Sequence, residues 1–291
     1  MAEWVSYFGM CEPSAAAWLG DGWFVAGSDE CNRLRRYRVG KVQAPDLIDL
    51  RGFTGFLASD IEGAAKVGGV VYWICSHSLT TEGREDKDER KIFCATKVVQ
   101  RADGPWPEPV GQPILNLRPA ILQATGAGIS TLNIEGLAAG PDGGLLIGLR
   151  APVVDGMALL LPMLNPGAVV QGQAAAFGPL QRVDLGGQGV RSMTRLANGR
   201  LAIMAGPEVD SDAGFHLYLC DGLSAVVTKV KTPDLTGLRP EAMFELPDGG
   251  LMVLSDDGNL GKKLGLKDSK DAEAPERRQF RSLVVDLPQV S

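Results

Sequence analysis

Five segments of this chain share one layout, and that repetition limits the folds open to it more than any other feature. Each has a polar start, an apolar strand-like run, a turn rich in Gly, Asp or Asn, a second apolar run and a polar end. They cover Glu12–Glu30, Glu62–Ser78, Glu135–Pro152, Ser192–Glu208 and Glu241–Gly258. Their inner turns, Gly20-Asp21-Gly22, Gly68-Gly69, Asp142-Gly143-Gly144, Asn198-Gly199 and Asp248-Gly249-Gly250, suit tight hairpins because Gly and Asn tolerate positive φ. Further strand-like runs follow. Third-strand candidates are Arg33–Val39, Lys91–Val99, Met157–Leu164, Phe215–Cys220 and Phe280–Leu287; fourth-strand candidates are Asp46–Leu50, Ala176–Leu185 and Ala225–Lys231.

The segments begin at 12, 62, 135, 192 and 241, so the intervals are 50, 73, 57 and 49 residues. Units of four short strands at that period predict an all-β chain: a five-bladed β-propeller of four-stranded blades, occupying 1–291 as a single domain. The stretch Glu3–Gly9 precedes the first unit and is expected to form the outer strand of the last blade, closing the ring and removing its free edges. The long second interval leaves a six-bladed ring as the alternative. Its core, Ile114–Thr125, has a helical pattern interrupted by Pro119, and an inserted helix or loop is expected over Ala102–Thr131.

Composition narrows the partners. An apolar fraction of 45% argues against disorder, and the longest apolar runs, such as Met157–Leu164, are too short to span a bilayer. With 29 basic and 35 acidic residues and a net charge of −6, no dense basic face for nucleic acid is expected. The start of the chain has no basic stretch followed by an apolar one, so no secretory signal is read. The five cysteines are odd in number, widely spaced and without a C-x-x-C pair, and a reducing cytoplasm is the expected setting. Two histidines and no clustered Cys/His ligands argue against zinc.

In such a ring the start of each innermost strand and the end of its hairpin partner lie on one face. The starts carry Glu12, Glu62, Glu135, Glu241 and, in the fourth unit, Arg191-Ser192; the ends carry Asp29-Glu30, Ser76-His77, Arg150, Glu208 and Asp256-Asp257. Glu62 to His77, Glu135 to Arg150 and Glu241 to Asp256 are each 15 residues apart. Glutamates gathered at one axis repel unless neutralised by a divalent cation, by arginines (Arg150, Arg191, Arg239) or by protonation. Carboxylates with Asn133 and Asn259 nearby suit a hard ion, Ca²⁺ or Mg²⁺, with Glu12, Glu62, Glu135 and Glu241 as its ligands. A purely structural role, bonding each blade to the next, is the other reading of these glutamates.

His77 is the candidate general acid or base, with Asp256 as a second proton carrier and Arg150 orienting an anionic or carbonyl group; Asp29, Arg191 and Arg239 are candidate substrate contacts. No G-x-S-x-G elbow surrounds Ser76 or Ser78, and no phosphate-cradling glycine loop occurs. Two long charged loops, Thr80–Ile92 and Leu260–Gln279, are expected on the same face, as lids or as plain surface loops. The expected activity is hydrolase-like, on a small-molecule substrate such as a lactone, sugar derivative or phosphoester. The alternative is a non-catalytic scaffold binding a protein or carbohydrate on that face. An exposed aromatic cluster on the rim would favour the scaffold; a polar pocket with shifted carboxylate pKa values would favour the enzyme.

The blocks starting at Ser59 (SDIEGAA), Cys75 (CSHS), Leu132 (LNIEGLAAGPDGGLLIGLRAP), Met204 (MAGP) and Arg239 (RPEAMFELPDGGLMVLSDDG) together resemble a bacterial β-propeller family known only as a domain of unknown function. The chain also looks like a distant cousin of phytase-type esterase-like propellers. More remotely it is similar to the gluconolactonase and regucalcin group, in which a glutamate opening the first blade holds a divalent metal. By position that resemblance implies the same role for Glu12. The nearest of these families implies a fold and no activity.

Overall fold

The computed structural model describes residues 4–81, 84–209, 214–221, 227–260 and 278–288. The chain begins with β1 (Val5–Phe8) and then builds its blades in order. Blade one holds β2 (Pro13–Gly20), β3 (Trp23–Ser28), β4 (Arg33–Arg38) and β5 (Asp46–Asp49). Blade two holds β6 (Ile61–Val67), β7 (Val70–Cys75), β8 (Phe93–Arg101) and β9 (Gly104–Ile114). Blade three holds β10 (Asn133–Ala139), β11 (Leu145–Ala151), β12 (Ala158–Met163) and β13 (Gln181–Val183). Blade four holds β14 (Gly189–Arg195), β15 (Leu201–Gly206), β16 (His216–Cys220) and β17 (Val227–Val230). Blade five holds β18 (Pro240–Glu245), β19 (Leu251–Ser255) and β20 (Gln279–Val285), completed by β1.

Every sheet is antiparallel, four of them as meanders and the fifth in the order β18-β19-β20-β1, and the innermost strands β2, β6, β10, β14 and β18 touch in that order, with β18 returning to β2. This is the five-bladed propeller the repeats predict. The closing pairing is antiparallel, Val5 opposite Ser282 through Phe8 opposite Gln279. It is sealed by a cluster of rings contributed by blades five and one. Tyr7 stacks on Phe280 at 5.4 Å and meets Phe24 edge-on at 5.2 Å, while Phe24 lies 5.1 Å from Phe244. Such pairs add about 0.5–1.5 kcal/mol each beyond the area they bury.

Apolar layers fill the spaces between blades, and small residues let neighbouring blades approach near the axis. A side-chain carbon at Gly136 would lie 2.6 Å from Val190 Cγ1, and one at Gly189 would run into the Arg150 carbonyl.

The second interval contains both a missed strand and the expected helix, which covers Arg118–Thr125. The strand is β9, hidden by its prolines. Pro105, Pro107 and Pro109 lie opposite Gln100, Val98 and Thr96, at every second position of an outer strand. Alternate residues of such a strand turn their N–H away from the sheet, so these prolines lose no ladder bond and leave the edge without donors. The Arg36 guanidinium lies over the ring of Trp106 on the same strand at 4.6 Å and over that of Trp23 at 4.1 Å.

Candidate functional site

All five innermost strands carry an irregularity at the same place. Their pairing slips by one residue between Pro13 and Ala15, Ile61 and Gly63, Ile134 and Gly136, Val190 and Ser192, and Pro240 and Ala242. A bulge leaves one residue unpaired and re-aims its side chain. The five residues so exposed from the ladder are Ser14, Glu62, Glu135, Arg191 and Glu241, one per blade around the axis. Glu12 therefore stands two residues before the ring position that Ser14 occupies, and Arg191 rather than Ser192 represents blade four. Ser14 bonds the Ile61 carbonyl of the next blade through its hydroxyl.

Above this ring lies a cavity of about 880 Å³. It brings together most of the residues expected from the sequence: Glu12, Asp29, Glu62, Glu135, Arg150, Arg239, Glu241 and Asp256 all line it. Asn133 and Asn259 line it as well. Its described wall holds nine carboxyl side chains and four arginines, and no aromatic ring.

Two expected residues lie elsewhere. Arg191 is buried beneath the wall, where its guanidinium reaches Glu135 at 3.1 Å and also bonds Glu241. It holds the floor together instead of contacting a ligand. His77 is fully buried away from the cavity, with both ring nitrogens lacking a hydrogen-bond partner among the described residues. Burial first, then the charges of Arg118 and Lys91, push its pKa down to about 3, so it stays neutral and is a poor proton carrier. The 15-residue spacing misplaces it for a geometric reason. The blade-two hairpin is one residue shorter than the others: Ile61 pairs with Cys75, whereas Ile134 pairs with Leu149 and Pro240 with Ser255. The residue equivalent to Arg150 and Asp256 is thus Ser76, and a one-residue step turns His77 to the opposite side. Ser76 donates its hydroxyl to Asp60, which Arg90 also engages at 2.8 Å.

The floor charges are matched largely by arginine. Glu135 takes Arg150 at 2.7 Å in addition to Arg191, and Asp256 faces Arg239 at 3.3 Å. A cation bound by Glu12, Glu62, Glu135 and Glu241 would have to compete with these guanidiniums for the oxygens of Glu135 and Glu241. Among the described residues, no group of three or more His, Cys, Asp or Glu side chains is arranged to hold a metal ion.

Two carboxyls escape this pairing. Glu62 makes no hydrogen bond or ion pair among the described residues, and neither does Asp29, whose buried Oδ1 has no partner. Burial, followed by Asp60 for Glu62 and by Glu12 for Asp29, holds both well above the usual carboxylate range. Asp256 is pushed up to about 7, mainly by burial and then by Glu241, against the opposing pull of the Gly258 N–H and Arg239. A carboxyl that holds its proton more tightly when folded loses stability as pH rises from the ordinary carboxylate range through its folded value. Thermal melts are accordingly expected to fall between pH 5 and pH 8. Glu62→Gln, which removes one such group, is expected to raise the melting temperature at pH 8 and change little at pH 5; an equal effect at both would contradict the raised pKa.

Of the two charged loops, Thr80, Thr81 and Arg84–Ile92 are described, and Ser78, Leu79, Thr81, Arg84 and Arg90 from this region line the cavity. Most of the second loop, 261–277, lies outside the described residues, as do positions 225 and 226 of the expected fourth strand of blade four.

Fold and site together define a five-bladed β-propeller with an acidic, arginine-braced cavity at one mouth of its axis. The family model for a protein of unknown function (DUF3616) matches residues 126–257, from the end of the inserted helix into blade five. None of the curated proteins compared with the chain matches it. Solved structures share the architecture. The Malassezia sympodialis allergen Mala s 1 is 11% identical with a TM-score of 0.56, covering 94% of this chain and 92% of its own. Myxococcus xanthus glutaminyl cyclase is 15% identical with a TM-score of 0.50, covering 98% and 96%. A putative oxidoreductase (glucose dehydrogenase) from Thermus thermophilus is 14% identical with a TM-score of 0.50, covering 97% and 100%. At these identities the likeness is one of fold.

Proposed function

We propose that the protein is a hydrolase-like enzyme acting on a small polar molecule bound in the axial cavity, with Asp256 as its proton carrier. The observation behind this reading is a carboxyl with a pKa of about 7 lining a polar cavity beside an arginine. A general base works best when its pKa lies near the working pH, and perturbed carboxyls in a cleft are a common mark of catalysis. The scaffold alternative calls for exposed aromatic contacts at the rim, and the described lining has none.

In this mechanism Asp256, ionised, takes a proton from a water molecule as that water attacks the scissile carbonyl or phosphoryl centre. Arg239 and Arg150, both in the wall, face the negative charge that develops on the substrate oxygen. The protonated Asp256 then returns its proton to the leaving oxygen. Glu135 and Arg191 stay outside the chemistry and keep Arg150 in place.

A panel of small lactones, carboxylic esters and phosphomonoesters tests the reading. Turnover of one class is expected, with kcat/KM rising through an inflection near pH 7. Absence of turnover across the panel, or a pH profile without that inflection, would count against it.

A further inference from the structure

We propose that the molecule bound in the axial cavity carries a protonated nitrogen, an ammonium or guanidinium, which seats against the carboxyls of Asp29 and Glu62. This rests on the cavity being the binding site, as argued above, but not on the chemistry being hydrolysis.

The proposal follows from how the cavity's charges are used. Glu135 is taken by Arg150 and Arg191, Glu241 by Arg191, Asp60 by Arg90, and Asp256 by Arg239. Arg90, Arg150, Arg191 and Arg239 thus each already face a carboxylate, and Arg84, also in the lining, bonds the Ser130 carbonyl. Asp29 and Glu62 do not share in this exchange, although both line the same space. They come from adjacent blades: Glu62 is the bulged residue of β6, and Asp29 immediately follows β3. Asp29 Oδ1 is sealed from solvent without a donor, a costly arrangement for a buried acceptor unless a ligand completes it.

The surroundings choose the sign of that ligand. Asp29 feels the charges of Glu12, Glu241, Asp256 and Asp60, and Glu62 those of Asp60, Glu135, Asp29 and Glu241. An anion placed there would meet acids on every side, whereas a cation would relieve their repulsion. Without a bound cation burial, and then this repulsion, holds both pKa values well above the usual carboxylate range, so binding a cation displaces protons to solvent. The reciprocal consequence is that affinity for the cation rises with pH. Arg150 of blade three and Arg239 at the edge of blade five flank this pair in the lining and suit an uncharged or anionic oxygen of the same molecule, which makes the preferred ligand a small amine with an oxygen function at its other end.

Putrescine serves as the test cation, with 1,4-butanediol as its neutral counterpart of the same length and succinate as the anion. Binding to the full chain is followed by calorimetry and, in weakly buffered solution, by a pH-stat. Putrescine is expected to bind about tenfold or more tightly at pH 8 than at pH 5.5 and to release protons on binding, with butanediol and succinate far weaker. Asp29→Asn and Glu62→Gln are each expected to weaken putrescine by about tenfold and to reduce the proton release. Both amides copy the protonated carboxyl, so unchanged melting at pH 5.5 shows that the variants are folded. Failure of putrescine to bind, binding equal to butanediol, preference for succinate, or variants that bind putrescine like the parent would each overturn the assignment. Amine binding without turnover of any ester or phosphoester would leave it standing while removing the hydrolase reading; turnover without amine binding would do the reverse.

Discussion

Replacing Arg191 with methionine is expected to lower the stability of the protein by about 3–5 kcal/mol and its melting temperature by roughly 10 °C. Arg191 sits at the blade-four bulge, almost wholly buried, with its guanidinium shared between Glu135 and Glu241. Removing it leaves Glu241 without the cation it faces and Glu135 with Arg150 as its remaining arginine. Losing one member of a buried charge network costs more than the network contributes as a whole, because the abandoned charge stays desolvated. The double variant Arg191→Met/Glu241→Gln is therefore expected to recover a large part of the loss. Urea unfolding of the two variants and the parent measures this. A loss below about 1 kcal/mol for the single variant would mean that the floor behaves as a solvated surface pair.

Asp256→Asn is expected to reduce kcat/KM by about 10²–10⁴-fold for whichever substrate class is turned over, with KM changing far less than kcat. The amide keeps the carboxyl's shape and can still accept the Gly258 N–H, which lies 2.9 Å from Oδ1. What it cannot do is carry a proton. The inflection near pH 7 should disappear with it. Arg239→Gln offers the complementary test: Arg239 holds the Asp256 pKa down, so its removal should move the inflection to higher pH. An unmoved inflection in Arg239→Gln would show that another group is titrating.

Much of the ring was legible because hairpin chemistry is local. A pair such as Asn198-Gly199 declares its turn whatever surrounds it, and four of the five inner hairpins carry Asp or Asn beside Gly. β9 was hidden because Pro-Trp-Pro-Glu-Pro contradicts strand propensity, and only its place at an outer edge makes the prolines harmless. The acidic cavity could be foreseen from the glutamates that open the units. Its finer geometry could not, since bulges and hairpin lengths decide it. One residue fewer in blade two carries His77 off the rim, and two residues of offset separate Glu12 from the ring position held by Ser14. Asp29, expected as a substrate contact, has its unusual character from burial beside other carboxyls, which no run of letters displays. Arg191 was likewise marked as a charge near the glutamates, but its burial between two blades is a property of the assembled ring.

The pairing of β1 with β20 also orders events in time. Within this sequence Val5–Phe8 is made before any blade is complete, and its partner Gln279–Ser282 after the four other blades. Until β20 is made, Tyr7 has no Phe280 to stack on. Four blades can collapse successively as they emerge, but the axial cavity acquires its full wall, including Glu241 and Asp256, only once β18 and β19 have joined the ring. Ligand affinity would thus report whether the ring has closed.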